Sequence, residues 1–196
     1  MIILCRHGNT FTNDQTPVMC GARTDLPLTP EGVTQGVRLG QYLRDVLEFT
    51  PSKIISGPLL RTRQTAEAIG YGLPVQIDPR LTEIDYGKWE GLSHEQIIAA
   101  GDGPALTAWE NEGGPPPEEI GWQPALPKLL CELEGILADL EDGTLVVTSN
   151  GILRLIYQLL THQAPGPKAK VGTGRYCQLA LTPMGLELVN WNQTPA

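Results

Sequence analysis

The stretch Met1-Ile2-Ile3-Leu4-Cys5-Arg6-His7-Gly8 decides how the rest of the chain is read. Its first five residues are apolar without a break. A run that short and unbroken marks a β-strand buried on both faces, the kind found in parallel sheets covered by helices. The run stops at an arginine, a histidine and a glycine. In an open parallel sheet, ligands bind beyond the carboxyl ends of the strands. An Arg beside a His at that place suggests an anion site with a nucleophile or an acid–base group. By itself the tripeptide is a common one, and on it alone His7 reads as a core or turn histidine.

The pattern repeats outward from this strand. Gly8 to Leu28 is polar and irregular. Thr29-Pro30-Glu31 is a helix start, with a Thr cap, Pro in the first turn and an acid at the positive end of the dipole. Leu39, Leu43, Val46 and Leu47 follow at helical spacing. Lys53 to Ser56 predicts a second strand, Leu59 to Ile69 a second helix and Val75 to Ile77 a third strand. The order β-α-β-α-β predicts a three-layer α/β/α sandwich with a mostly parallel central sheet. In the middle, Ser93-His94-Glu95-Gln96 fits a capping box before a short helix. Residues 100–122, rich in Gly, Pro and Glu, read as a small lid insertion rather than a linker, because the α/β pattern resumes after them. Leu126 to Leu140 predicts an amphipathic helix, Leu145 to Thr148 a buried strand and Ile152 to Leu160 a helix. Two closing strands flank the turn Pro183-Met184-Gly185. Residues 1–196 read as one domain.

Composition excludes several function classes. With 41% hydrophobic and 18% charged residues the chain is globular, not disordered. A formal net charge of −8 with no basic run argues against nonspecific nucleic-acid binding, which neutralises many phosphates, and against an anionic membrane surface. The 3 histidines and 4 cysteines form no CxxC, HxH or HExxH pattern, so neither a metal nor any other cofactor is expected. Met1 to Cys5 is too short for a signal segment or a membrane span. The expected setting is a reducing cytoplasm with free thiols.

Further motifs stand after the next strands. Ser56-Gly57-Pro58-Leu59-Leu60-Arg61-Thr62-Arg63-Gln64-Thr65-Ala66 follows the second. Leu81-Thr82-Glu83-Ile84-Asp85-Tyr86-Gly87-Lys88-Trp89-Glu90-Gly91 follows the third. Together with Arg6-His7-Gly8-Asn9-Thr10, Asn13, and Asp25-Leu26-Pro27-Leu28-Thr29-Pro30-Glu31-Gly32, they resemble the histidine phosphatase superfamily, also called phosphoglycerate mutase-like. The likeness runs from Met1 to about Leu160, with four motifs in the family's order. It implies roles residue by residue. His7 would be the nucleophile that takes up a phosphoryl group, Arg6 and Arg61 would clamp the phosphate, and Asn13 would add a hydrogen bond. Glu83 would protonate the leaving oxygen, aided by burial near Tyr86 and Trp89. Arginine suits such a site because its planar fork of donors keeps its charge at any working pH.

The pattern breaks at the fourth motif, where the family places a second catalytic histidine. Here Val146-Val147-Thr148-Ser149-Asn150-Gly151-Ile152-Leu153-Arg154 puts Ser149 in that position. Ser149 and Asn150 open a helix whose free N–H groups favour an anion, and either residue reads equally as a plain cap or as a phosphate contact. The resemblance implies a phosphomonoesterase acting on a small phosphorylated metabolite or a phosphoprotein. The alternative is a weakened or inactive relative that binds phosphorylated ligands. A mutase is disfavoured because residues 100–122 contain no Lys or Arg, while Glu110, Glu112, Glu118 and Glu119 would repel a doubly anionic sugar acid. Trp109, Trp122 and the prolines suggest a partly apolar pocket. Other side chains take blander readings. Arg63, His94 and the pair Lys168 and Lys170 are expected in solvent, His162 at a helix end, and Trp89 and Trp122 in packing.

Overall fold

The computed structural model of the chain describes residues 1–195. Six strands form one sheet: β1 (Ile2–Arg6), β2 (Lys53–Ser56), β3 (Val75–Ile77), β4 (Thr144–Thr148), β5 (Tyr176–Thr182) and β6 (Gly185–Gln193). Their order is β3-β2-β4-β1-β5-β6. The first four run parallel, while β5 and β6 close one side antiparallel. The three-layer α/β/α arrangement read from the sequence is the one observed.

Alternation along the strands builds two cores, because successive side chains in a strand point to opposite faces. Ile3 and Cys5 face one layer with Ile54, Leu145 and Val147. There they meet Leu39 and Leu43 of helix α1 (Pro30–Asp45) and Ala66 and Ile69 of helix α2 (Leu60–Ile69). Ile2 and Leu4 face the other layer with Ile55 and Val146. There they meet helix α5 (Leu126–Asp139) through Leu129, Leu133 and Ile136, and helix α6 (Asn150–Thr161) through Ile152 and Ile156.

Helix α1 starts as expected: the Thr29 hydroxyl accepts from the Gly32 N–H at 3.1 Å, and Pro30 stands at the first helical position. The helical spacing does not carry on through Val46 and Leu47. The helix stops at Asp45, Val46 is exposed, and Glu48 at φ 51° turns the chain into Phe49. Gly40 lets α1 and α2 touch, since a Cβ there would stand 2.0 Å from the Ile69 carbonyl oxygen.

The middle segment is more structured than an appended flap. Both bonds of the Ser93 capping box form, at 3.3 and 2.8 Å, and open the one-turn helix α3 (His94–Ile97). A π turn at Ile98–Asp102, kinked at Gly101, leads into helix α4 (Gly103–Glu112). Leu106, Trp109 and Ile120 from this stretch belong to the same buried cluster as Ile2 and Leu4. Trp122 meets Trp109 edge to face at 4.9 Å and Trp89 at 5.7 Å, so Trp89 and Trp122 are packing residues. Among the described residues, no helix is long and apolar enough to cross a membrane.

Candidate active site

The carboxyl ends of β1, β2 and β4 lie side by side. Arg6 pairs with Thr148 in register, and Ser56 pairs with Val147. The chain leaves β1 toward one helical layer and β4 toward the other, which opens a crevice between them. The crevice is a cavity of about 540 Å³ whose walls include Arg6, His7, Glu83, Tyr86 and Asn150.

His7 is only 6% exposed, and its backbone N–H donates to the Thr148 carbonyl at 3.0 Å. Its Nδ1 lies 2.8 Å from the Gly8 carbonyl oxygen. A carbonyl can only accept, so this bond assigns the proton to Nδ1 and leaves the Nε2 lone pair free. Burial holds the imidazole pKa well below its usual 6.5, and the charges of Arg6 and Arg61 push the same way. The ring is therefore neutral at physiological pH.

The arginines are buried differently. Arg6 lines the cavity, donates from Nη1 to the Val171 carbonyl at 2.6 Å, and leaves Nε without a partner. Arg61, on the first turn of α2, is fully buried. Its Nη1 donates to the Thr24 carbonyl at 2.7 Å and its Nη2 to the Cys20 carbonyl at 3.1 Å, while Nε is unpaired. Arg61 is not part of the cavity wall, but it is near enough to shift the titration of Arg6, His7 and Glu83.

Glu83 is 5% exposed and seated on the start of α6. Its Oε2 accepts from the Gly151 N–H at 3.0 Å and its Oε1 from the Ile84 N–H at 2.9 Å. Burial nevertheless raises its pKa above the usual 4.5, against the opposing pull of those N–H groups and of Arg61 and Arg6. Gly151 is required here: a Cβ would stand 2.3 Å from Glu83 Oε1 and 2.8 Å from the Tyr86 hydroxyl.

Ser149 follows Thr148 directly, next to His7 across the strand pair. It occupies the cap position of α6 with extended backbone, yet its side chain makes no capping bond. Its Oγ is buried with no hydrogen-bond partner, behind the wall rather than on it. Asn150 does face the cavity, and its Oδ1 accepts from the Val171 N–H at 2.9 Å. Asn13 stands exposed on the rim of the same cavity.

Several wall residues escaped the sequence reading. Arg154, there only a marker of the fourth motif, is buried in the wall. It lies four residues after Asn150, which on a helix means the same face. Its Nε donates to the Pro165 carbonyl at 2.8 Å, its Nη2 to the Trp109 carbonyl at 2.5 Å, and its guanidinium carbon sits 3.9 Å from the Trp109 ring centre. Burial lowers its pKa to about 10. Of the tryptophans only Trp109 reaches this cavity; Trp122 and Pro115 to Pro117 line a separate apolar groove. His94 is exposed as expected, but at the cavity mouth. Lys170 departs from expectation. It is half-buried rather than solvated beside Lys168, and it is ion-paired with Glu110 of α4, because the turn at Pro167–Ala169 directs it inward. Of the four lid glutamates, Glu110 alone lines the cavity. Among the described residues, no three His, Cys, Asp or Glu side chains gather so as to hold a metal ion.

Comparison with known proteins fits this arrangement. Residues 2–194 match the family model for the histidine phosphatase superfamily, branch 1. The chain belongs to that superfamily. Among its histidine phosphatase relatives is the glucosyl-3-phosphoglycerate phosphatase of Mycobacterium tuberculosis. It is 34% identical over 125 residues, which is 63% of this chain and 50% of that protein. The adenosylcobalamin/alpha-ribazole phosphatase of Escherichia coli is 28% identical over 167 residues, 78% of this chain and 75% of that one. The native structure of the mycobacterial glucosyl-3-phosphoglycerate phosphatase superposes with a TM-score of 0.78 at 25% identity, covering 97% of both chains. In sequence, this chain aligns with about half the length of the first curated relatives it matches.

Proposed function

We propose that the protein hydrolyses phosphate monoesters through a phosphohistidine on His7, without a metal, acting on a small phosphorylated metabolite or a phosphoprotein in the cytoplasm. The observation that carries this reading is the state of His7: buried, neutral, with Nδ1 protonated toward Gly8 and Nε2 free, in a cavity wall that it shares with Arg6 and Glu83. Relatives named as phosphatases support it.

In the first step the Nε2 lone pair attacks phosphorus in line, the P–O ester bond breaks, and the leaving oxygen takes the Glu83 proton. Its raised pKa suits Glu83 to that donation. In the second step water attacks phosphorus, its proton passes to the Glu83 carboxylate, and the P–N bond breaks. His7 and Glu83 return to their starting states. Arg6 and Arg61 neutralise the oxygens that carry charge in the transition state, the principal demand of phosphoryl transfer. Asn13 and Asn150 add hydrogen bonds from the rim and the wall. Ser149 stands where the family's second histidine would be, as its place beside His7 supports. Its hydroxyl, unpaired beside His7, keeps a donor for a phosphate oxygen that reaches past the wall, but supplies no charge.

The unpaired Ser149 also favours a second reading, a weakened relative that binds phosphorylated ligands. Losing one charged donor costs on the order of 10²–10³ in rate at comparable sites. Hydrolysis of an aryl phosphate by wild type, His7→Ala and Ser149→His, with EDTA present, separates the two. Loss of activity in His7→Ala with trapping of an acid-labile phosphoenzyme supports the hydrolase, and a gain in Ser149→His supports the placement of Ser149. Wild-type activity no higher than that of His7→Ala, across an ester panel, would leave only the binding role.

A further inference from the structure

Arg154 is a buried cation without a counter-ion. It is 1% exposed, and among the described residues it forms no ion pair. Its Nε and Nη2 donate to neutral main-chain oxygens, those of Pro165, Trp109 and Glu110. A buried charge that meets only neutral dipoles is costly, and such charges are ordinarily paired. Arg61, buried to the same degree, keeps its charge for the phosphoryl group in the mechanism proposed above. Arg154 has no such task there.

One part of this guanidinium is left over. Nη1 is its nitrogen with no partner in the protein. Unlike the Nε atoms of Arg6 and Arg61 it is not sealed from solvent, and Arg154 lines the cavity that holds His7. The carbonyls on the other two nitrogens and the Trp109 ring fix the guanidinium plane, so Nη1 is a positioned donor. Arg154 stands four residues beyond Asn150 on α6, a rise of about 6 Å. Its charge couples with that of Glu83, the group that meets the leaving oxygen in the proposed mechanism. Both relations set Arg154 beside the leaving group rather than on the phosphoryl group, where Arg6 and Arg61 act. The lid glutamates do not oppose an anion there as the sequence reading expected. Glu112, Glu118 and Glu119 lie off the cavity wall, and Glu110 is ion-paired with Lys170.

We propose that Arg154 is a specificity-determining residue whose Nη1 holds a carboxylate on the leaving group. The protein then favours the phosphate monoesters of hydroxy acids over those of neutral alcohols. One cation with one free NH2 group matches the single charge of a carboxylate better than the double charge of a second phosphate. This deepens the reading of the site as a phosphomonoester hydrolase, and rests on that reading for its turnover arm only.

Carboxyalkylphosphonates with one to three methylenes, each compared with its carboxamide, read this contact without any turnover. Their binding is measured by calorimetry at about pH 8, above the ordinary imidazole range, and the spacers bracket a separation of about one helical turn. The wild type is expected to bind the best-fitting acid at least about tenfold more tightly than its amide, the scale of a charge-assisted hydrogen bond. Equal affinities at every length would overturn the proposal. Arg154→Gln is expected to abolish the difference while ethylphosphonate, which lacks the carboxylate, still binds. Arg154→Lys, which keeps a charge but not the fixed plane, is expected to fall between. An undiminished difference in Arg154→Gln would overturn the assignment. So would loss of ethylphosphonate binding in both variants, since Arg154 would then act only as a brace for α4. Phosphate esters of the matching hydroxy acids and hydroxy amides supply the turnover arm, read as the ratio of kcat/KM values. A phosphonate preference that follows Arg154 while no ester is hydrolysed upholds the carboxylate contact and defeats the hydrolase reading. Hydrolysis that depends on His7, with acids and amides turned over alike, does the reverse.

Discussion

At Gly151 a single hydrogen atom is the difference between a seated acid and a displaced one. The Glu83 carboxylate rests on the Gly151 N–H at 3.0 Å, and the space a methyl would take already holds Glu83 Oε1 and the Tyr86 hydroxyl. Gly151→Ala is expected to leave the fold intact by thermal melting. It should cut kcat on alkyl phosphates by roughly 10²-fold, the scale of a lost positioned proton donor. Aryl esters with good leaving groups should suffer less, because they need the proton less. On the proposed mechanism the competent free form has His7 neutral and Glu83 protonated. The acid limb of kcat/KM therefore comes from His7 and falls below pH 6.5, and the basic limb comes from Glu83 and falls above pH 4.5. Glu83→Gln is expected to remove the basic limb in a pH–rate series. Stability follows by linkage. The folded His7 has the lower pKa, so the unfolded chain takes up the proton first as pH falls. That contribution is complete above pH 6.5 and is lost as pH drops toward the folded pKa. His7→Ala should accordingly lose less melting temperature than wild type between about pH 7 and pH 5.

At the scale of elements, local chemistry and close packing make separable demands on α1. Its Thr29 cap is a local device, so Thr29→Ala should destabilise by about 1 kcal/mol in denaturant titration. Gly40 faces α2, where a Cβ would stand 2.0 Å from a main-chain carbonyl oxygen that cannot rotate away. Gly40→Ala should therefore cost more than the cap, about 1–3 kcal/mol, the range of an overpacked contact, although alanine is the better helix former. The same division explains what was legible beforehand. The Thr29 cap, the Ser93 capping box and the start of α2 depend on neighbours a few residues apart, and they are read directly along the chain. The end of α1 is not legible in the same way, because apolar Val46 and Leu47 continue the helical spacing past Asp45. What stops the helix is the turn at Glu48 that seats Phe49 in the core.

Across the whole molecule, Arg154 ties three segments together. From α6 it reaches the Trp109 carbonyl on α4 and the Pro165 carbonyl in the loop before β5. Arg154→Met should leave two buried carbonyls short of a donor and Trp109 without its stacking partner. The expected result is a lowered melting temperature and faster limited proteolysis between residues 113 and 125, with the sheet core still protected. The sequence by itself determined the sheet, its helices and the placement of Arg6 and His7 at a strand end. Those follow from residue period and from spacing within one segment, which are local properties. Only the tertiary structure decided that Ser149 caps nothing and that Arg61 is braced by carbonyls behind the wall. It also decided that Glu110, alone among the lid acids, lines the cavity, ion-paired with Lys170. These depend on which surfaces meet when α4, α6 and the loop before β5 pack over the sheet, and no pattern within one segment specifies such long-range contacts.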